Sequence, residues 1–561
     1  MESETRSSSA SANQSVGAVG KVSLAVFLSR VLGLAREMTF AKLFGAGFAN
    51  DAFVVAFLVP NLFRDLFAEG ALSSAFVPTF TDYWRNKARS EAWLLASMVL
   101  SGLMVLLGAF ALLLFLFADE SVYLVASGFA DEPGKAELTA SLIRILSPFL
   151  LFVALAAAAM GMLNTMGHFF LPALAPAIFN LAIVVAGFTL APYFESRGIE
   201  PILAMGVGAL LGGFLQFGVQ LPLLYRAGFR FRFRLNIGHP GIRRILRLLG
   251  PAVIGISAIQ INVLVNTQMA TYLEPGDGPV SWLKYAFRIL YLPVGMVGVA
   301  VGIVNLRNVS VSAAAEKWEE LKQTVASSLR LVSLLAIPST VGLIVLADPI
   351  VRILFERDSF TPQDTQATAL ALSCYSLALI GYSFQKVLVP TFYALNDTRT
   401  PVRISLLAVA VNLTISAVLV FGILNRLAPE YAYLGLAIGT ALSLSLQIVL
   451  LARAFSLRMG SMQAYQLRPT LGRMAVAALL MAGVVEGVRR GMEANFPGDG
   501  LAVQTLILAV CIGCGGVVYF GLCHWMGVAE SRTVISRIRL RALRVLRGVI
   551  RTNNRPGRKD S

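Results

Sequence analysis

Long apolar blocks separated by short polar gaps constrain the fold of this chain more than any other feature of its sequence. Leu94–Phe117 carries no charged residue, and comparable blocks lie at 146–163, 171–193, 402–424 and 501–522. Each approaches or exceeds the roughly 20 apolar residues that a helix needs to cross a bilayer. Because hydrocarbon offers the backbone no hydrogen-bonding partner, these blocks must be helices.

The blocks predict an all-α, polytopic membrane protein with about fourteen spans of around 20 residues each. Composition agrees, because 57% of the 561 residues are hydrophobic and 14% are charged, whereas soluble domains carry about 25% charged residues. A soluble fold is therefore excluded. The predicted cores of the spans are 22–44, 51–77, 94–117, 140–163, 171–193, 203–225, 248–272, 281–304, 327–347, 368–393, 402–424, 433–455, 473–490 and 502–526.

The two ends of the chain are polar or basic. Residues 1–20 begin with a Ser-rich stretch and are predicted to be a disordered cytoplasmic leader, since the apolar stretch that follows is too long and too broken for a signal core. In residues 530–561, apolar residues recur at helical spacing from Ile535 to Val549, accompanied by Arg537, Arg541, Arg544, Arg547 and Arg551. This pattern predicts a basic amphipathic tail on the anionic inner leaflet. Nucleic-acid binding is the weaker reading of the arginines, because the tail is tethered to a membrane protein.

Loop charges predict the orientation. The segment 226–247 and the gap between the twelfth and thirteenth spans are rich in arginine and contain no acid. The segment 118–137 holds five acids against Lys135 alone, and the turn with Glu274 and Asp277 has no base. Lys and Arg collect on the cytoplasmic side, so the basic loops face inward. With an even number of spans, both termini are then cytoplasmic.

Ionisable residues inside apolar spans carry the functional information, since each costs roughly 2.5–3.5 kcal/mol or more at the bilayer centre. Arg36 and Arg288 have apolar sequence on both sides, which favours a place in an internal cavity. Lys284 and Arg288 share one helix face at i and i+4. Lys42, Asp51 and Lys284 lie near span ends, where snorkelling to the interface is an alternative. The remaining charges in the first, second and eighth spans are Arg30, Glu37, Arg64, Asp65 and Glu69.

Clustered arginines point to an anionic ligand, because the guanidinium fork matches phosphate and carboxylate oxygens bidentately. No arrangement of the three histidines or of serine resembles a hydrolase, metalloprotease or nucleotide-binding motif. Cys511 and Cys514 form a C-x-x-C without a second ligand pair nearby, so helix packing is the preferred role over metal or redox work. The chain is predicted to be a transporter without a cofactor, a metal or a catalytic residue.

Several ordered segments resemble one known family, the MurJ/MviN lipid II flippases of the multidrug/oligosaccharidyl-lipid/polysaccharide exporter superfamily. They are S-R-V-L-G-L-A-R-E from Ser29, D-A-F-V-V-A-F from Asp51, P-N-L-F-R-D-L-F-A-E-G-A-L-S-S-A-F-V-P from Pro60, S-W-L-K-Y-A-F-R from Ser281 and K-V-L-V-P-T-F-Y-A-L-N-D-T-R-T-P-V from Lys386. The agreement covers essentially the whole chain.

The resemblance implies two helical bundles, 21–226 and 243–455, around a central cavity, with two additional spans in 471–526 that form a groove for a lipid tail. It implies a substrate, undecaprenyl-diphosphate-linked disaccharide pentapeptide, that moves from the inner to the outer leaflet of the bacterial inner membrane for cell wall synthesis. Wall-synthesis proteins are further expected partners. By position, Arg30, Arg36, Arg64 and Arg288 match the family's cavity arginines, and Asp51 and Glu69 match its acidic positions.

Four positions depart from the family pattern. Glu37 stands where Asp is common, and Phe287 replaces an acidic or polar residue before Arg288. Asn266 replaces an Asp of many relatives, which argues against a sodium site of the kind that uses acids in the seventh and eleventh spans. Arg307 replaces a usual proline, and nothing in the sequence explains that change.

Other functions stay open on the sequence alone. A flippase for a different polyprenyl-linked glycan would need the same diphosphate-binding charges. An exporter of cationic drugs would need acids and aromatics rather than arginines. A membrane scaffold that transports nothing would tolerate loss of Arg36 and Arg288, and a wall polymerase would need a catalytic acid in a long outer loop, whereas the outer loops here are short.

Overall fold

The computed structural model describes residues 2–64, 71–295, 299–461, 465–496, 498 and 500–532. Within these ranges the chain is almost entirely helical and contains no strand. The first eleven helices are α1 (Glu2–Phe44), α2 (Phe48–Arg64), α3 (Ala71–Asn86), α4 (Arg89–Leu116), α5 (Ala118–Ala126), α6 (Lys135–Leu146), α7 (Phe149–Thr165), α8 (Phe170–Ser196), α9 (Leu203–Gly218), α10 (Leu221–Arg226) and α11 (Pro240–Ala270).

Further helical segments are the π-helix Val418–Leu424 and short 3₁₀ helices at Ser127–Asp131 and Pro429–Tyr431. The later α-helices are α12 (Pro279–Pro293), α13 (Val299–Ala314), α14 (Trp318–Val345), α15 (Ala347–Phe355), α16 (Pro362–Ser376), α17 (Leu379–Ala394), α18 (Arg399–Ala417), α19 (Asn425–Leu427), α20 (Leu434–Met459), α21 (Leu467–Asn495) and α22 (Leu501–Trp525).

Ten stretches of the described chain are helical, long and apolar enough to cross a membrane. They coincide with the predicted spans three to six and nine to fourteen. The first, second, seventh and eighth predicted spans are not among the ten, and the count of fourteen remains a prediction. The first of these, in α1, is interrupted by Arg30, Arg36 and Glu37.

The structure differs from the sequence analysis at the beginning of the chain. Residues 2–20, predicted to be disordered, continue α1 as helix. No proline occurs between residues 2 and 44, so nothing in the covalent backbone stops the helix. Residues 533–561, which contain most of the predicted basic tail, and Glu69 lie outside the described residues.

The chain forms two compact units. The first comprises Met1–Tyr285, Leu354–Ala367 and Leu413–Leu436, so it also contains the seventh predicted span. Within it α8 packs against α1 and α9, and glycines on α9 allow close approach. A Cβ atom at Gly208 would lie 2.6 Å from the Cβ of Ala186. Gly208 and Gly212 have the small-x-x-x-small spacing that permits such close contact between membrane helices.

The second unit comprises Ala286–Ile353, Thr368–Asn412 and Ala437–Ser561. Here α14 packs against α13, α17 and α21, and α21 packs against α22. Cys511 and Cys523 are buried in the apolar core between these last helices. The boundary between the units falls inside α12, after Tyr285, and the bundle limits implied by the family resemblance remain a prediction.

Candidate functional site

A charged cluster lies inside the first unit, where α1 meets α12. Arg36 donates to Glu37 Oε1 at 2.5 Å, and Lys284 Nζ lies 3.8 Å from Glu37 Oε2. The Glu37 side chain is 2% exposed, whereas those of Arg36 and Lys284 are 15% and 26% exposed. One buried carboxylate therefore faces two partly accessible cations, and the three groups together carry one positive charge. We call Arg36, Glu37 and Lys284 the Glu37 cluster.

Aromatic rings surround the two cations. The Arg36 guanidinium lies 5.9 Å from the centre of the Phe179 ring, and Lys284 Nζ lies 5.3 Å and 5.8 Å from the rings of Phe40 and Phe53. Rings at such distances attract cations through their electron-rich faces. Apolar rings beside a charge also lower the local dielectric constant, which strengthens the attraction between a cation and an anion. The arrangement fits the binding of an anionic group.

A second polar network is centred on Asp51, a fully buried residue at the beginning of α2. Asp51 Oδ1 accepts from the backbone N–H of Ser281 at 2.9 Å and from its hydroxyl at 2.5 Å, and Asp51 Oδ2 accepts from Gly278 N at 2.8 Å. These are N–H groups at the first turn of α12, which have no partner within their own helix. Asp51 therefore caps α12 from another helix.

Lys135, the first residue of α6, completes this network. Its ammonium group is fully buried and lies 2.6 Å from Asp277 Oδ1, 3.0 Å from the carbonyl oxygen of Gly276 and 3.4 Å from Asp51 Oδ2. The sequence analysis did not select Lys135 as a site residue. The signal was its position as the only base among five acids in 118–137. We call Asp51, Lys135, Asp277 and Ser281 the Asp51 network.

The loop between α1 and α2 is held against residues 354–367 of the same unit. Gly45 has a φ of 62°, and a Cβ atom there would lie 2.3 Å from the carbonyl oxygen of Ser359, so only glycine fits. Asn50 donates to the Gly45 carbonyl and to the Tyr285 hydroxyl at 3.0 Å and 2.9 Å. Trp282 donates to Asp364 at 2.8 Å. This loop is thereby tied to α12 next to the Asp51 network.

The remaining predicted site residues occupy separate places. Arg30 is exposed on α1, and Arg64 is partly buried at the end of α2. Arg288 is exposed on α12 in the second unit, one helical turn after Lys284. The structure thus brings Arg36, Glu37 and Lys284 together and places Asp51 in a different network. Among the residues that the structure describes, no group of three or more His, Cys, Asp and Glu side chains is arranged for a metal ion.

Comparison with known proteins decides the family. The family described as lipid II flippase MurJ matches residues 40–502. The chain belongs to the MurJ family of lipid II flippases. A probable lipid II flippase MurJ of Vibrio cholerae is 34% identical over 518 residues, which cover 90% of this chain and 95% of the relative. A lipid II flippase MurJ of Burkholderia cenocepacia is 33% identical over 508 residues, covering 89% and 95%.

Solved structures agree with this assignment. A structure titled lipid II flippase MurJ, inward closed conformation, superposes with a TM-score of 0.73 at 26% identity and covers 92% of this chain and 99% of its own. An inward-facing multidrug resistance transporter of the MOP superfamily matches at a TM-score of 0.66 and 13% identity, over 80% of this chain and 99% of its own, and shares the fold. MurJ proteins are transporters rather than an enzyme family. With its apolar helices, this MurJ-family chain is a multi-pass protein of the bacterial inner membrane.

Proposed function

We propose that this chain moves lipid II, the undecaprenyl-diphosphate-linked disaccharide pentapeptide, from the cytoplasmic to the periplasmic leaflet by alternating access, with both termini in the cytoplasm. The Glu37 cluster is the observation that carries the proposal. A net positive cluster inside apolar helices is costly unless it serves an internal ligand. Family membership supplies the substrate class, and the cluster supplies the charge that this substrate requires.

Each cavity cation has a distinct part in this proposal. Arg36 offers its guanidinium fork to two oxygens of the diphosphate or of a peptide carboxylate. Lys284 offers a compact charge with three donors, and its ammonium group lies 3.8 Å from Glu37 Oε2. Arg30, Arg64 and Arg288 are further proposed ligands of the head group as it passes. The polyprenyl tail remains in the lipid, so only the polar head group requires a protein path.

The Asp51 network fits a different part of the cycle. It joins α2, α6 and α12 through loops that the charge pattern assigns to the periplasmic side. We propose that it closes this side while the head group enters from the cytoplasm. Glu69 is proposed to support the cavity charges. Anionic lipids at the basic tail and wall-synthesis proteins remain proposed partners.

The test is replacement in bacteria depleted of their own lipid II flippase. The native chain, Arg36→Ala and Arg288→Ala are compared with Arg197→Ala, a control at an exposed loop arginine. The readout is the amount of lipid II that an agent cleaving lipid II outside the inner membrane can reach. Loss of a hydrogen bond to a charged group costs about 1.5–3 kcal/mol, so we expect the two cavity variants to lose at least about tenfold in flipping.

Three outcomes separate the alternatives. Restoration by the native chain and by Arg197→Ala, but not by well-expressed cavity variants, supports both the substrate and the cavity arginines. Restoration by every variant keeps the flippase and contradicts the arginine roles. Failure of the correctly inserted native chain contradicts lipid II as the substrate and favours a different polyprenyl-linked glycan.

A further inference from the structure

One face of α12 is open in the structure. Lys284, Phe287, Arg288 and Tyr291 are accessible, whereas Tyr285, Ala286, Ile289 and Leu290 between them are buried. The accessible positions follow the i, i+3, i+4, i+7 spacing of a single helix face. Two of these four residues are cations, so the face is not one that hydrocarbon would cover. A polar ligand therefore fits this face better than lipid tails do.

Four aromatic rings meet at this face within the second unit, and we call them the aromatic cluster. Phe287 lies edge-on to Tyr375 of α16 at 5.7 Å and to Tyr382 of α17 at 6.1 Å between ring centres. Tyr291 lies 5.6 Å from Phe287 and 6.3 Å from Tyr382. Edge-to-face contacts of this kind stabilise one another and hold the rings in place.

The aromatic cluster has a buried base and an accessible top. Tyr375 is only 8% exposed, whereas Tyr291 is 42% exposed. A cluster that only filled the core would be served by leucine or phenylalanine, with no phenol oxygen to satisfy. Three of the four rings carry a hydroxyl that both donates and accepts hydrogen bonds. The aromatic cluster therefore presents an apolar surface with phenol hydroxyl groups at its edge.

We propose that the aromatic cluster receives a sugar ring of the transported head group. One face of a pyranose exposes C–H bonds with slight positive charge, which suit the electron-rich face of an aromatic ring. The sugar hydroxyls at the rim can exchange hydrogen bonds with the phenols. Arg288 adjoins the cluster and opposes a cationic ligand, so an electrically neutral ring joined to an anionic group fits best. The proposal rests on the proposed function and adds a glycan subsite to it.

The experiment compares two ligands of the purified full-length chain in lipid nanodiscs. One is lipid II, and the other is undecaprenyl diphosphate, which has the same tail and diphosphate without sugar. Loss of one aromatic contact should weaken lipid II binding about twofold to tenfold in Phe287→Leu and in Tyr291→Leu. Binding of undecaprenyl diphosphate should not change. Tyr393→Leu, at an exposed tyrosine of α17 outside the cluster, is the matched control.

Tyr382→Phe separates the ring from its hydroxyl. It retains the ring, and a smaller loss of lipid II binding than for a Tyr382→Leu variant supports the stacked arrangement. If Phe287→Leu and Tyr291→Leu weaken the binding of both ligands equally, or leave lipid II binding unchanged, the glycan subsite is contradicted but the proposed function is not. Competition by tetraphenylphosphonium that Tyr291→Leu abolishes would assign the cluster to a cation instead. If the native chain binds neither ligand, the proposed function fails together with the subsite.

Discussion

Glu37 determines how the two cations near it are arranged. A carboxylate taken out of water is costly unless charged partners satisfy it. Arg36 donates to Oε1 of Glu37, and Lys284 Nζ lies 3.8 Å from Oε2, the distance of an ion pair rather than of a hydrogen bond. An arginine carries five N–H donors and a lysine three. Glu37 therefore positions the two cations while it engages only part of their hydrogen-bonding capacity. Replacement of the more common Asp by Glu keeps this charge on a side chain longer by one methylene.

Lys284→Met tests the second cation of the cluster. Methionine keeps most of the volume and apolar contacts with Phe40 and Phe53 but removes the charge. Because Glu37 then faces Arg36 alone among the cluster's cations, the cluster loses its net positive charge. We expect flipping to fall about tenfold, the equivalent of about 1.4 kcal/mol. The measurement is external accessibility of lipid II in depleted cells.

A charge exchange supplies the control. In Glu37→Lys with Lys284→Glu, an ion pair between α1 and α12 is restored with its direction reversed. We expect the thermal unfolding midpoint of the double variant to exceed that of Glu37→Lys alone, while flipping stays low. Full recovery of flipping would show that the pair only joins two helices and would contradict anion binding by Lys284.

Some site residues are accessible to sequence reasoning, and others are not. Arg36, Glu37 and Lys284 stand out because a charge between apolar residues has few explanations in a membrane helix. Lys135 belongs to a polar stretch of sequence, where a lysine usually remains in water, so its full burial depends on contacts with residues over 80 positions away. The aromatic cluster escaped prediction because Phe287 and Tyr382 are distant in sequence and aromatic residues are common in apolar spans.

At the scale of elements, α12 begins where α2 and α6 hold it. Asp51 accepts hydrogen bonds from N–H groups at the first turn of α12, where a negative charge also complements the helix dipole. Lys135 in turn places a positive charge against Asp51 and Asp277. The position of the first turn of α12 depends on side chains from α2 and α6. The position of Lys284, further along the same helix, therefore depends on them as well.

Lys135→Met is expected to weaken this arrangement. Breaking a buried ion pair by removing one partner costs about 3–5 kcal/mol, because the other charge remains buried. We expect a lower thermal unfolding midpoint and poorer flipping. Combining Lys135→Met with Asp51→Asn should recover part of the lost stability, since the uncompensated charge is removed as well. A single variant as stable as the native chain would contradict the role assigned to Lys135.

Asp397 makes a pH-dependent contribution at the beginning of α18, outside the predicted spans. The backbone N–H and the hydroxyl of Thr400 donate to its carboxylate at 3.0 Å and 2.8 Å, and Arg458 lies at 2.9 Å. These contacts, the backbone N–H foremost, hold the pKa of Asp397 below its ordinary value. The folded state therefore favours the charged form. Its contribution is present above the ordinary aspartate pKa of about 3.9 and is lost as the pH falls through the lower folded value.

The corresponding variant is Asp397→Ala. Loss of a helix-capping side chain typically costs about 1 kcal/mol, so we expect a lower unfolding midpoint at neutral pH. The difference from the native chain should shrink as the pH falls below about 4. Asp397→Asn serves as the control, because it keeps a capping oxygen but cannot titrate. A difference that is equally large at acid pH would contradict a charged cap.

At the scale of the whole molecule, contacts between loops agree with the topology inferred from charge. Lys135 and Asp277 belong to two loops that the basic-loop rule assigns to the outside, and they form an ion pair. Asp82 and Arg244 belong to two loops assigned to the inside, and they also pair. These contacts agree with the alternation of the loops, while the absolute orientation remains a prediction.

Single cysteines test that orientation. Phe233→Cys lies in the basic segment 226–247, and Ser196→Cys lies at the last residue of α8; both positions are exposed. We expect a membrane-impermeant maleimide to label Ser196→Cys in intact spheroplasts and Phe233→Cys only in inverted vesicles. The native chain, whose four cysteines lie in helices, measures the background. The opposite labelling pattern would reverse the topology.

The capping of α12 by Asp51 has a consequence for genetics. A strain with a substitution at Asp51 should resemble one that has lost a ligand-binding arginine, although this side chain is directed to a helix end and is fully buried. A mutant screen would therefore show the same phenotype for two different causes, a lost helix cap and a lost ligand contact. Second-site suppressors distinguish them, since those of Asp51 should fall in the first turn of α12 or at Lys135, whereas those of Arg36 should not.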